Sequence, residues 1–142
     1  MDIVIGSDHA GFELKGKVVE LLRELKHEVE DVGCHSNESV DYPDFAEKLT
    51  AKLEGTGKFG ILICGTGIGM SIAANRHGFI RAALCHDEHT AIMSREHNNA
   101  NVLCLGARIL DSEAALGIVK VWLETDFAGG RHQQRISKFS DM

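Results

Sequence analysis

Five short aliphatic runs recur along this chain with a helical pattern between neighbours, and that alternation limits what it can fold into more than any other feature. Residues 2–6 (DIVIG), 28–33 (EVEDVG), 59–64 (FGILIC), 80–85 (IRAALC) and 102–105 (VLCL) are brief and bounded mostly by glycine or polar residues, which predicts strands. Residues 12–26 set Leu14, Val18, Leu21, Leu22 and Leu25 on one helical face, and residues 45–53 do the same with Phe45, Leu49 and Leu53. Residues 87–97 and 111–124 each open on an aspartate suited to N-capping, and the second carries Ala115, Ile118, Val119 and Trp122 along one side. Strands joined through helices need crossover connections. The expected fold is α/β: a three-layer α/β/α sandwich around a five-stranded, mostly parallel, Rossmann-like sheet.

A chain of 142 residues, 44% hydrophobic, supports one core, so residues 1–142 are expected to form a single domain. One proline, Pro43, and no repeat or low-complexity run leave no internal boundary. The net charge of -6 gives no polycationic surface for nucleic acid or an anionic membrane. No run approaches the ~20 apolar residues of a membrane span, and MDIVIGSDHA is too briefly apolar for a signal peptide, so a cytoplasmic location is expected. Cys34, Cys64, Cys85 and Cys104 are scattered without a C-x-x-C pair, which reads as reduced thiols.

Ligands of such sheets gather beyond the carboxyl ends of the strands. There the sequence sets Asp8 and His9, then Cys64 with a glycine loop, then His86 and Asp87, then Gly106 to Arg108. His97, Asn98 and Asn99 close the helix before the fifth strand, and topology alone puts them at the opposite edge. The loop Gly65-Thr66-Gly67-Ile68-Gly69 fails the dinucleotide fingerprint, because Met70 stands at the third glycine, and it lacks a P-loop ending. Leading into a helix, it still offers main-chain N–H donors to an anion and favours a thiolate at Cys64; an ordinary buried cysteine beside a turn is the alternative.

Arg131 and Arg135, four apart in GGRHQQR, have the planar donors to grip one phosphate, or they belong to a solvated tail. Asp8 and His9 can exchange protons with a ligand, or Asp8 caps a helix. His86 and His89 lie within one turn, but no further ligands stand at a telling spacing, so a cap at Asp87 with two exposed histidines is expected, and no metal. A phosphoacceptor receiver would want an aspartate where Cys64 stands, and a serine hydrolase would want G-x-S-x-G.

Taken together, GSDHAGFELK, DYPDFA, ILICGTGIGMSIAANR, REHNNANVLCLGAR and GGRHQQR closely resemble the type B ribose-5-phosphate isomerases of the ribose/galactose isomerase family, over nearly the full length. The resemblance implies interconversion of ribose 5-phosphate and ribulose 5-phosphate, in the non-oxidative pentose phosphate pathway, through a cis-enediolate and without metal or organic cofactor. It implies Cys64 as the base that moves a proton between carbons 2 and 1, with Thr66 assisting. The N–H groups of Gly65, Gly67, Ile68 and Gly69 match the family's anion hole.

By the same resemblance Asp8 and His97 open the sugar ring, His9, Arg108, Arg131 and Arg135 hold the phosphate, and Asn98 contacts the sugar. This brings His97 into the site, where topology does not. It also implies a homodimer with shared active sites, or a dimer of dimers, in which the tail from about residue 128 to 142 reaches a neighbouring subunit. Met70 occupies the place of the glutamate base of one branch of the family, which favours the thiol route; Asn99 stands where some members have aspartate. Allose 6-phosphate or galactose 6-phosphate isomerisation, and a non-catalytic sugar-phosphate-binding module, are the alternatives, of which only isomerisation needs the thiol.

Overall fold

The computed structural model describes residues 1–141; Met142, the last residue of the expected tail, lies outside them. The elements run β1 (Asp2–Ser7), a 3₁₀ turn (His9–Gly11), α1 (Phe12–Glu24), β2 (Glu28–Asp31), α2 (Tyr42–Leu53), β3 (Phe59–Cys64), α3 (Ile68–Ala74), β4 (Ala82–Leu84), α4 (Glu88–Glu96), β5 (Val102–Gly106), α5 (Ser112–Glu124) and α6 (Arg131–Ile136). The strands form one five-stranded sheet in the order β2-β1-β3-β5-β4, parallel at every pairing. The expected three-layer sandwich is present, with the sheet wholly rather than mostly parallel.

Side-chain alternation assigns the two faces. Ile3, Ile5, Ile61, Ile63, Leu103 and Leu105 pack with Leu14, Val18 and Leu22 of α1 and Ile118, Val119 and Trp122 of α5. Val4, Leu62, Cys64, Val102 and Cys104 point the other way, against Phe45, Leu49 and Leu53 of α2 and Met70 and Ala74 of α3. Each step from strand to strand in one direction places its helix on one face, and each step back places it on the other, as right-handed crossovers require. Gly60 lets α2 press onto β3: a Cβ there would come 2.7 Å from Leu49 Cδ2.

Most boundaries differ from the sequence reading by one or two residues; those of α2 and β4 have a clear local cause. Helix α2 starts at Tyr42 rather than 45, since Pro43 in the first turn lacks only an N–H that would have no helical acceptor there. Strand β4 is shorter than residues 80–85 because it pairs with β5 only over Ala82 to Leu84, the Arg81 N–H being taken by the Asn101 side-chain oxygen at 2.7 Å. The Asn75 side chain accepts from Ala82 N–H at 2.8 Å and donates to Ala82 C=O at 2.9 Å, which removes an edge that could pair with another strand. At the other edge the buried Lys15 ammonium meets Asp31 at 2.7 Å and Cys34 C=O at 2.7 Å, fixing the chain where it leaves β2.

Candidate active site

From β1 the chain steps one way to β2, and β3 lies on the other side of β1, so the helices that follow β1 and β3 diverge to opposite faces. The crevice between the carboxyl ends of β1 and β3 is the point where a ligand has access to both. Ser7 is in register with Ile63, and Asp8 N–H donates to Ile63 C=O at 3.2 Å, so Asp8 and Cys64 emerge side by side there.

Cys64 is buried, and its Sγ accepts a hydrogen bond from Gly67 N–H at 3.2 Å. The loop can turn back onto the sulfur because Gly67 takes φ 80, in the left-handed region. A Cβ on Gly67 would come 2.6 Å from Leu84 Cδ1 and 2.9 Å from the Leu105 carbonyl carbon. Thr66 Oγ1 accepts from Ile68 N–H at 3.2 Å. The N–H groups of Gly65, Thr66 and Gly69 have no acceptor among the described residues. Unpaired main-chain donors clustered in one loop are suited to an oxyanion.

The rim is stitched to this loop. Ala107 N–H donates to Cys64 C=O and Arg108 N–H to Gly65 C=O, both at 2.9 Å, and the Arg108 side chain lies over Gly65, where a Cβ would be 3.2 Å from Nη1. Asp8 Oδ1 accepts from Ala10 N–H at 3.0 Å and Gly11 N–H at 3.2 Å, so it caps the 3₁₀ turn, as the alternative reading of that residue had it. The cap uses one carboxylate oxygen. His9 Nδ1 accepts from Val40 N–H at 3.2 Å, which leaves Nε2 for other partners. The Tyr42 ring covers Gly69, which the sequence analysis did not single out; a Cβ there would be 2.5 Å from Cε1.

Four of the candidate residues lie elsewhere. His97 ends α4, and Ala100 N–H donates back to Ser94 C=O at 2.9 Å, so the turn of His97 and Asn98 sits before β5. That is the amino edge of the strands, on the order of 15 Å from Cys64 for a strand of this length. The turn is held from beneath. Asn99 adopts φ 47; Arg95 Nη1 donates to its Oδ1 at 2.9 Å and to Ala100 C=O at 2.7 Å, while Arg81 Nε donates to its C=O at 2.8 Å.

The tail folds onto the same edge. Ala128 N–H donates to Glu96 C=O at 3.0 Å, Arg81 Nη1 to Ser140 Oγ at 2.9 Å, and Asp141 N–H to Gly78 C=O at 2.9 Å. Arg131 and Arg135 stand exposed on α6 beside His97. One chain therefore carries two half-constellations on opposite edges of its sheet: Asp8, His9, Cys64 to Gly69 and Arg108 on one, His97, Asn98, Arg131 and Arg135 on the other. His86 and His89 are exposed, and Asp87 caps α4 through Thr90 N–H at 2.7 Å.

Two of the other three thiols, Cys85 and Cys104, are harder to ionise. Burial pushes the Cys104 thiol far up from its ordinary value, with the Cys64 and Cys85 sulfurs adding to it, and burial likewise raises Cys85.

The sequence matches the model of the Ribose/Galactose Isomerase family over residues 3–139. The chain belongs to the ribose/galactose isomerase family. Ribose-5-phosphate isomerase B of Escherichia coli is 47% identical over 136 residues, covering 94% of this chain and 91% of that protein. The crystal structure of a ribose 5-phosphate isomerase of Thermotoga maritima superposes with a TM-score of 0.94 at 53% identity, covering 99% of this chain and 98% of that one. The ribose-5-phosphate isomerase B of Mycoplasma genitalium with bound ribulose-5-phosphate gives a TM-score of 0.93 at 43% identity, covering 96% and 92%. Membership in this isomerase family makes the chain an enzyme, and it agrees with a sulfur and free amides at the switch point of the sheet. No helix among the described residues is long and apolar enough to cross a membrane.

Proposed function

We propose that this isomerase interconverts ribose 5-phosphate and ribulose 5-phosphate, with Cys64 as the base. The observation that carries the reading is the Cys64 sulfur in hydrogen-bond contact with Gly67 N–H, beside the unpaired amides of Gly65, Thr66 and Gly69. Once the sugar ring is open, the thiolate takes the proton from carbon 2, and the electron pair moves through the new C1–C2 double bond onto the carbonyl oxygen. Amides aimed at that oxygen hold the enediolate; one such donor is worth roughly 3 kcal/mol of barrier. Thr66 carries the hydroxyl proton from oxygen 2 to oxygen 1, and the thiol returns its proton to carbon 1. Proton bookkeeping closes within the site, with no cofactor.

The active unit in this reading is a homodimer. Ring opening by Asp8 and His97, and a phosphate grip by His9 and Arg108 with Arg131 and Arg135, both need the two edges of the sheet brought together, which a second copy does and one chain does not. Asn98 would contact the sugar from that second copy. Apolar side chains flank both edges in support: Ile68 and Ile72 of α3 are 51% and 62% exposed, and Phe139 in the tail is 62% exposed.

Purified protein given ribose 5-phosphate, allose 6-phosphate and galactose 6-phosphate in turn, with and without chelator, tests the assignment. Turnover of ribose 5-phosphate that survives chelator and is lost in Cys64→Ala is expected. Turnover of none of the three, or loss on chelation, would overturn the reading.

A further inference from the structure

We infer that His132 is a positioning residue for sugar-ring opening, holding the His97 imidazole in its working orientation by stacking against it. The inference rests on the proposed role of His97. The two rings lie face to face with centroids 4.3 Å apart and planes 16° from parallel, and each is half-buried.

His97 needs such a support. It sits at the last turn of α4, where its main chain is fixed by its N–H bond to Met93 C=O at 2.9 Å, but among the described residues no hydrogen bond holds its side chain. A ring that must meet one oxygen of a sugar loses rate when it is free to rotate, and a misplacement of 1 Å can cost 10²-fold. The stacked partner supplies the restraint without consuming either ring nitrogen. Both nitrogens stay available for the proton transfer, which a hydrogen-bonding partner would not allow.

The surroundings favour the neutral form of the partner. The charged groups facing His132 are Arg131 and Arg135 on its own helix and Glu96 on α4; Arg95, on the same helix, turns its guanidinium onto Phe59 and Trp122 instead. Desolvation, then the neighbouring His97 and the two arginines, hold the His132 imidazole below its ordinary value against the opposing pull of Glu96. A neutral ring stacks on His97 without repelling it when His97 takes up a proton. Its place between Arg131 and Arg135 also ties the proton-transfer group to the phosphate grip on one short helix.

Full-length His132→Phe and His132→Ala test this, read by kcat and KM for ribose 5-phosphate and by the ring-proton NMR signals of His97 in histidine-labelled protein. Alanine should lower kcat on the order of tenfold with KM within about twofold, and phenylalanine, which keeps the stack, should recover most of that loss. The His97 ring signals should carry the upfield shift of a stacked neighbour in the native chain and in His132→Phe, and lose it in His132→Ala. Phenylalanine as impaired as alanine, a loss confined to KM, or His97 signals unchanged in His132→Ala would each overturn the inference. A native chain inactive on ribose 5-phosphate would instead defeat the functional assignment, and the NMR comparison would still decide the stack.

Discussion

The amide of Gly67 donates to the sulfur of Cys64 from three residues further along the same loop, so the residue that shapes the loop also orients the thiol. Gly67→Ala should therefore damage stability and catalysis together. A left-handed φ costs a side chain ~1–2 kcal/mol, and the added Cβ also meets Leu84 and the Leu105 carbonyl. Denaturant unfolding should show a loss of about 2 kcal/mol or more, with turnover down at least tenfold. Cys64→Ser separates the effects: it keeps an acceptor for Gly67 N–H and the fold, but replaces the thiol with a much weaker acid. Its kcat should fall on the order of 10²- to 10⁴-fold.

The buried thiols predict an alkaline limit on stability. Cys104 is neutral in the folded chain far above its ordinary value near 9, whereas the unfolded chain ionises it there. Above that pH the unfolded state holds fewer protons, so stability falls as pH rises, by about 1.4 kcal/mol per pH unit for each such thiol. Below it this group contributes no pH dependence. Thermal or denaturant unfolding between pH 8 and 10 should show the decline, and Cys104→Ala should remove one proton's share of the slope, so that its cost in stability is constant at neutral pH and shrinks as pH rises above 9. An unchanged slope would contradict the assignment.

Arg131 and Arg135 are exposed, and α6 is anchored by Ile136 rather than by them. Replacing either with alanine should leave the melting temperature unchanged. A charge-assisted bond to phosphate is worth about 1.5–3 kcal/mol, so KM should rise roughly 10- to 100-fold while kcat stays within a few-fold. A fall in kcat at constant KM would place the arginines with the proton transfers instead.

What could be read in the sequence and what could not follow from the range of the forces involved. The strands announced themselves because a parallel sheet covered on both faces demands unbroken aliphatic runs such as ILI in β3, and the glycine loop because Gly67 takes a left-handed φ and Arg108 and Tyr42 crowd Gly65 and Gly69. Even the far-edge position of His97 was legible, since a helix that precedes a strand must end at that strand's amino end. The contacts that finish the site were not. Tyr42 over Gly69, Asn75 on the edge of β4, Asn99 between two arginines and His132 on His97 each join segments with no shared period. Only packing brings such pairs together, and a lone polar or aromatic residue in a turn carries no mark of its partner.

The separation of the two half-constellations makes the shared site testable without a structure of the dimer. Cys64→Ala removes the proposed base from one edge, and His97→Asn removes the proposed ring-opening group from the other, so in the proposed homodimer each variant has two damaged sites. A mixed dimer pairs the intact Cys64 edge of one chain with the intact His97 edge of the other, giving one complete site and one lacking both residues. With random pairing after co-refolding, half the dimers are mixed and half their sites are whole, so activity should recover to about one quarter of native. Each variant alone should stay near its own residual rate. Sites built within single chains would give no recovery at any mixing ratio, because every chain would carry its own lesion.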